Sequence, residues 1–350
     1  MTNISILIPA YNVENYIEEC LKSVLSQTDL NNIEIVIVDN ASTDSTKDII
    51  KKYEREYSFI HGIYLTENVG LFLSRHIAIS ESIGEYCLFL DSDDMLIDNA
   101  IEIIRRDIIK YKDPDMIIYR FRTFGIKEEE SENILDFHES KLCGSLEHKK
   151  LLYALSTTEA INNIWIKTIK KSKLKEFKDY KKFYNIKYAE DKLNSIYYMN
   201  DASIVYNPNV LYLYRLRGNS ISNNYNIERF QQEIIIEKEL QKIIINKHFS
   251  SVETADIYRY RKKSNMHLFI LSFNKQDMKK ENNCEIINNI IAYLKNNDNY
   301  KVNSGIIWNF IYFLLINEKF DLLFFLNYIF KKVRTARIKR FQTNLMFFIN

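Results

Sequence analysis

Four short apolar runs separated by three amphipathic stretches fill the first 90 residues, and this alternation excludes most folds. Ile4-Ser5-Ile6-Leu7-Ile8 stops at Pro9, and Ile33 to Val38 ends at Asp39. Ile60 to Leu65 is shorter, and Tyr86-Cys87-Leu88-Phe89-Leu90 runs straight into Asp91-Ser92-Asp93-Asp94. The runs are rich in β-branched residues, as expected of strands covered on both faces. Between them, Val13, Ile17, Leu21, Val24 and Leu25 recur at helical spacing, with Glu18 and Glu19 on the other face. Ser42-Thr43-Asp44 offers cap residues for a helix reaching Tyr57, and residues 70–83 read as a third helix broken by Gly84. The order β-α-β-α-β-α-β predicts an α/β fold, a Rossmann-like and mostly parallel sheet flanked by helices. In such sheets ligands bind beyond the carboxyl ends of the strands. Here those ends carry Pro9-Ala10-Tyr11-Asn12, Asp39-Asn40 and the Asp91 cluster.

Further along, residues 98–111 read as a helix, Met116 to Phe121 as a strand, and Glu128-Glu129-Glu130 as a solvated loop. Residues 147–174 follow a helical pattern, Glu190-Asp191 opens another helix, and 202–206 and 210–214 read as two strands. Beyond Ile227 the chain is helical for over a hundred residues, so the expected division is a domain over 1–225 and a helical region over 226–350. Only 7 glycines and 3 prolines in 350 residues agree with long helices and exclude an all-β protein built on tight turns. Charge is unevenly spread. Residues 1–100 hold 6 Lys/Arg against 17 Asp/Glu, which argues against nucleic acid as a partner of this part and favours a bound cation. Cys20, Cys87, Cys143 and Cys284 form no CxxC pair; His138 and His148 flank Cys143 without completing a zinc pattern. Free thiols, a first segment interrupted by Pro9, and a longest apolar run of only residues 305–316 lead to the expectation of a cytoplasmic protein.

Asp91-Ser92-Asp93-Asp94 is the strongest chemical feature. Three carboxylates within four residues repel one another, and a hard divalent cation such as Mn²⁺ or Mg²⁺ relieves that repulsion through oxygen ligands. The competing reading is an acidic cap for the helix near Asp98. Its place at the end of a buried strand favours the cation.

Three stretches in order, ISILIPAYNVENYIEECLKSVLSQT, IEIVIVDNASTDST and ENVGLFLSRHIAISESIGEYCLFLDSDD, resemble glycosyltransferase family 2. So do the later NNIWIKTIKK, YAEDKLNSIYYM and LYLYRLRGNSIS, and the resemblance spans residues 3–222. It implies the GT-A fold and an inverting, metal-dependent transfer from a UDP-sugar. The closest character is that of bacterial enzymes building lipooligosaccharide, capsule or similar surface glycans. The nucleotide-sugar site is then Pro9, Tyr11, Asp39, Asn68, Gly70, Arg75, Asp91 and Ser92. Tyr11 can stack on uracil or pack as an edge tyrosine, and Asp39 can accept from the base N3–H. The family's usual DDGSTD reads Asp39-Asn40-Ala41-Ser42-Thr43-Asp44 here, so Asn40 and Ala41 depart from it. Asn68, Gly70 and Arg75 match an NxGxxxxR element, whose arginine meets a pyrophosphate or the Asp91 cluster. His76 stands where the family has asparagine and reads as a packed or surface histidine rather than a metal ligand.

In that family the metal falls to Asp91 and Asp93, and the general base to Asp191, with Glu190 beside it positioning base or acceptor. The doublet alone reads equally as first-turn helix charge. Trp165 can stack on a sugar or fill a core, and Lys167, Arg215 and Arg217 are candidate phosphate or acceptor contacts or, equally, residues of solvated helix or strand faces. Neither a GxGxxG fingerprint nor a P-loop is present, which argues against dinucleotide oxidoreductases and NTPases. A catalytically silent nucleotide-sugar-binding scaffold of an envelope-glycan complex is the reading from another class.

Near the other end, aromatic runs at 306–313 and 322–326 precede six basic residues and no acidic one within 331–340. Apolar faces beside such a cluster suit a peripheral helix on the anionic inner face of the cytoplasmic membrane, where a lipid-linked glycan acceptor would reside. Packing as a helical bundle, on the catalytic domain or a twin subunit in a homo-oligomer, is the competing reading.

Overall fold

The structure, a computed structural model, describes residues 3–125, 140–142, 145–157, 161–174, 183, 186–188, 190–199, 202–217, 226–246 and 249–272. Residues 288, 291, 292, 295, 311–315 and 317 are also described. Glu128–Glu130, His138, Cys143, the end of the RGNSIS stretch and the basic run 331–340 lie outside these residues.

The opening alternation forms as the sequence dictates, except that the first strand does not stop at Pro9 but runs through it to Ala10, with Pro9 opposite Val38. Strands β1 (Ile4–Ala10), β2 (Ile33–Asp39), β3 (Ile60–Tyr64) and β4 (Tyr86–Phe89) alternate with helices α1 (Ile17–Leu25), α2 (Thr46–Glu56) and α3 (Gly70–Glu81). All seven residues of β1 and of β2 are buried. In the sheet the order is β3-β2-β1-β4, all parallel, so the chain reverses its direction of travel at β1. That reversal opens the crevice beyond the carboxyl ends of β1 and β4 where a ligand fits.

After β4 the sheet becomes mixed. The chain continues through β5 (Met95–Leu96), α4 (Ala100–Lys110), β6 (Met116–Gly125), β7 (Ser140–Leu142), α5 (Ser145–Thr157) and a 3-10 turn at Ile164–Ile166. Then come β8 (Lys167–Lys170), α6 (Lys171–Leu174), α7 (Glu190–Tyr198), β9 (Ile204–Leu216), α8 (Ile227–Asn246) and α9 (Ser251–Ser272). Among the described residues the sheet has nine strands in the order β3-β2-β1-β4-β8-β6-β9-β5, with β7 on β9.

Two segments differ from the sequence reading. Residues 147–174 were expected to be helical throughout, yet Lys167–Lys170 is a strand running antiparallel between β4 and β6. Four residues are too few to show a period, and two open strand edges settle the conformation. The two strands expected at 202–206 and 210–214 are one, β9. Its ladder with β6 shifts register between Ile118 and Arg120, opposite the Pro208 region. Proline lacks the N–H that a regular ladder needs, so an irregularity absorbs it.

Two compact units result, one of residues 1–223 with 236–247, the other of 224–235 with 248–350. The whole sheet belongs to the first. In the second, α9 brings Phe269 edge-on to Phe230, with ring centroids 5.5 Å apart. Among the described residues no helix is long and apolar enough to cross a membrane.

Candidate active site

At the carboxyl ends of β1 and β2, two loops are laced together by their own polar side chains. Asn12, in the left-handed region at φ 50°, accepts from the Thr43 amide at 2.8 Å and donates its own amide to the Ser42 hydroxyl at 3.0 Å. The Val13 amide donates to Thr46 Oγ1 at 2.8 Å, and the Ser45 amide to Glu14 at 2.9 Å. Between the loops Asp39 is buried, while Tyr11 remains 46% exposed and so has an open ring face. Asn40 bridges outward, donating to Asn68 Oδ1 at 2.9 Å and accepting from the Val69 amide at 2.8 Å. Asn68 also receives the Gly70 amide at 3.0 Å. Gly70 begins α3 at φ 84°, a conformation that suits glycine.

From α3 a fully buried arginine reaches across the crevice. Arg75 donates to Asp91 Oδ1 at 2.7 Å through one nitrogen and pairs with Asp191 and, at 3.5 Å, Glu190 through the other. Burial opposes its charge, but Asp191, Asp91 and Glu190 together hold its pKa above the ordinary value. Burial raises both partners on α7: Glu190 is pushed to about 7 with help from Asp191, and Asp191 is raised against the pull of Arg75. Asp91 and Asp191 keep side-chain exposures of 24% and 17%, enough for a ligand to reach them.

The Asp91–Asp94 turn is anchored to β9. Tyr212 donates to Asp94 at 2.7 Å and accepts from the Asp91 amide at 3.1 Å. Asp94 also accepts the Arg215 amide at 2.7 Å, and Arg215 Nε donates to the Asp93 carbonyl at 2.7 Å. Burial and repulsion from Asp93 and Asp91 push Asp94 up to about 8. Asp93 is likewise raised by burial and then by Asp91, although Arg217 pairs with it.

The family model described as glycosyl transferase family 2 matches residues 5–167, which reach from β1 through the turn before β8. Those residues belong to glycosyltransferase family 2. The glycosyltransferase GlyA of Streptococcus pneumoniae is 30% identical over 232 residues, 63% of this chain and 31% of that protein. A putative teichuronic acid biosynthesis glycosyltransferase of Bacillus subtilis, TuaG, is 44% identical over 98 residues, 27% of this chain and 38% of that one. The chain thus spans about a third of the length of these relatives. Among solved structures, S. aureus TarS 1–349 with UDP-GlcNAc superposes with a TM-score of 0.63 over 84% of this chain and 81% of that one, at 21% identity. A mannosyltransferase from Pyrobaculum calidifontis, in complex with GDP-Man and Mn²⁺, reaches 0.50 at 14% identity, covering 90% and 85%. The fold is GT-A.

Within this glycosyltransferase family 2 domain the structure sorts the sequence candidates. Pro9, Tyr11, Asp39, Asn68, Gly70, Arg75, Asp91, Ser92 and Asp93 gather at the carboxyl ends of β1, β2 and β4, and Arg75 adds Glu190 and Asp191 from α7. Asp94 caps no helix: it is buried against Tyr212, and β5 intervenes before α4. Lys167 is the plainest correction. It was read as a phosphate or acceptor contact, but its side chain is fully buried, and its ammonium binds the carbonyls of Ile161 and Asn163 and the Ser195 hydroxyl. Trp165 is 6% exposed, stacked with Tyr212 and Tyr214 and edge-on to Phe121, so the core alternative holds over sugar stacking. Arg215 does adjoin the site, its guanidinium 4.4 Å from the Phe124 ring and paired with Glu19. His76 is packed at 4.5 Å from Phe72, and burial followed by the Arg75 charge pulls it to about 4, hence neutral.

Sequence reasoning passed over Tyr212 and Ser195. Each carries a hydroxyl on an otherwise buried, apolar position, the one available signal, since a hydroxyl so placed needs a partner.

Proposed function

We propose that this domain transfers a sugar, with inversion, from a UDP-sugar to a hydroxyl of a surface-glycan acceptor. The carrying observation is Arg75, whose single guanidinium holds Asp91, on the strand-end side, beside Asp191, on the α7 side. Two carboxylates with different tasks are thereby adjacent. Tyr11 offers a ring for uracil and Asp39 an acceptor for its N3–H. TarS, the structural neighbour, was solved with UDP and with UDP-GlcNAc, and the names of TuaG and of a poly(ribitol-phosphate) beta-glucosyltransferase point to cell-wall polymers.

The Asp91–Asp93 turn fits Mn²⁺ or Mg²⁺ in chemistry: oxygen donors only, with Asp93 raised by burial and by Asp91 as expected of surplus negative charge. Among the described residues no three His, Cys, Asp or Glu side chains converge to form a cage. A cation would therefore take one or two carboxylates from the chain, its remaining ligands coming from diphosphate and water. Bound there, it would neutralise the departing diphosphate as a Lewis acid. In the transfer itself, Asp191 accepts the proton of the acceptor hydroxyl as that oxygen attacks the anomeric carbon. The bond to UDP breaks on the opposite face, which inverts the configuration. Glu190 shares Arg75 with Asp191, so the guanidinium orients the base. An acceptor carried on lipid, drawn by the basic run 331–340, belongs to the same reading.

The test is UDP release from UDP-GlcNAc, UDP-glucose and UDP-galactose with Mn²⁺. Asp191→Asn should lower it by about 10²–10⁴-fold while leaving UDP affinity near wild type. Near-normal turnover in that variant places the base elsewhere, and no release from any donor refutes the transferase reading.

A further inference from the structure

We propose that Lys167 is a positioning residue, its buried ammonium fixing the Asn163–Ile164 peptide and the helix α7 so that Asp191 is aimed at the crevice. This rests on the reading of Asp191 as the base. A lysine with 0% exposure must satisfy all three of its donors, because an unpaired buried ammonium is costly. Lys167 does so on the Ile161 carbonyl at 2.7 Å, the Asn163 carbonyl, and Ser195 Oγ at 2.9 Å. Ser195 in turn donates to the Asn162 carbonyl. Three successive carbonyls of the 161–163 turn thus converge on one ammonium–hydroxyl pair.

The next peptide group makes the connection. The bond between Asn163 and Ile164 is trans, so its carbonyl and its N–H point in opposite directions on one rigid plane. The carbonyl end is held by Lys167, and the N–H end is on the Asp191 side: burial raises the Asp191 carboxyl, and the Ile164 N–H is among the groups that counter that rise. A second tie runs through α7 itself. Ser195 lies four residues after Asp191, one turn along the same helix face, and it too binds Lys167. The turn before β8 and the helix that carries Asp191 are thus tied at one nitrogen. Burial pulls Lys167 down to about 7 while the Asp191 charge opposes that fall, a sign that the two groups sense each other.

Lys167→Met keeps the length of the side chain and removes its donors; Ser195→Ala removes only the hydroxyl and serves if the first variant fails to fold. With UDP-GlcNAc or UDP-glucose and Mn²⁺, kcat of either variant should fall about 10–100-fold, as for a slightly misplaced catalytic group. The donor KM should stay within about twofold, because the uridine contacts are untouched. In an Asp191→Asn background the same substitution should change kcat less than about twofold, since there is no base left to aim. An equal fall in both backgrounds marks Lys167 as merely structural and overturns the proposal. Hydrogen exchange supplies a readout independent of turnover. Peptides covering 161–166 and 190–199 should exchange faster in Lys167→Met, with those of β1 and β2 unchanged. If wild type consumes no UDP-sugar, the transferase reading falls, and the exchange result alone decides the positioning: unaltered protection of the 161–166 and 190–199 peptides refutes it.

Discussion

Replacing Arg75 by methionine removes the one cation shared by three carboxylates while nearly preserving volume. The Arg75 side chain is 1% exposed, and its partners Asp91, Asp191 and Glu190 are 24%, 17% and 11% exposed, so solvent replaces little of what is lost. Breaking a buried pair by deleting one partner costs about 3–5 kcal/mol, because the remaining charge stays buried without compensation. For a unit of this size each kcal/mol is about 2–4 °C in Tm, which gives a fall of about 6–20 °C. The deficit should depend on pH in a definite direction. Glu190 already lies near 7 and Asp191 is raised with the guanidinium present; without it their folded pKa values rise further above the unfolded ones. The folded variant then binds more protons than the unfolded chain between about pH 4 and pH 8, so its stability falls as pH rises through that window. Thermal melts of wild type and Arg75→Met at about pH 5.5 and about pH 8 should show a small gap at the first and the full gap at the second. A variant that melts within about 2 °C of wild type at the higher pH refutes the shared-cation account, as does a larger gap at the lower pH.

Asp93→Asn should abolish the Mn²⁺-dependent part of UDP affinity in calorimetry, because it removes one of the oxygen donors at the turn; unchanged dependence on Mn²⁺ sinks the assignment. Gly84→Ala should lower the unfolding free energy by about 1–3 kcal/mol, read as a fall in the urea midpoint at constant m, since an added Cβ would lie 2.3 Å from Ser5 Oγ and 2.7 Å from the Ser5 backbone nitrogen. An unmoved midpoint would mean that β1 yields at that point. Ala41→Gly should be neutral or stabilising by up to about 1 kcal/mol, because Ala41 sits at φ 60° where a side chain is strained and glycine is not. A loss above about 1 kcal/mol in the same denaturation assay contradicts this.

The local sequence determined the first half of the sheet. Continuous apolar runs, the helical period between them and Gly84 as a break are short-range signals, and β1 to β4 with α1 to α3 follow them, although β1 runs through Pro9 to Ala10. Doubly buried strands made the sheet parallel and so set the DSDD turn at a carboxyl end. Only the tertiary structure decided what those residues do to one another. Lys167 reads as a phosphate or acceptor contact, or a solvated base, on a helical stretch until β4 and β6 leave a slot between them and draw it in as part of β8. Asn40 looks like a lapse in a motif until its amide is seen tying β2 to Asn68. Arg75 meets Asp191 across 116 positions, and Tyr212 meets Asp94 across 118. Periodicity reports which face of an element is buried. Which buried polar group answers which other depends on where distant strands end in space, and a spacing in the chain does not encode that.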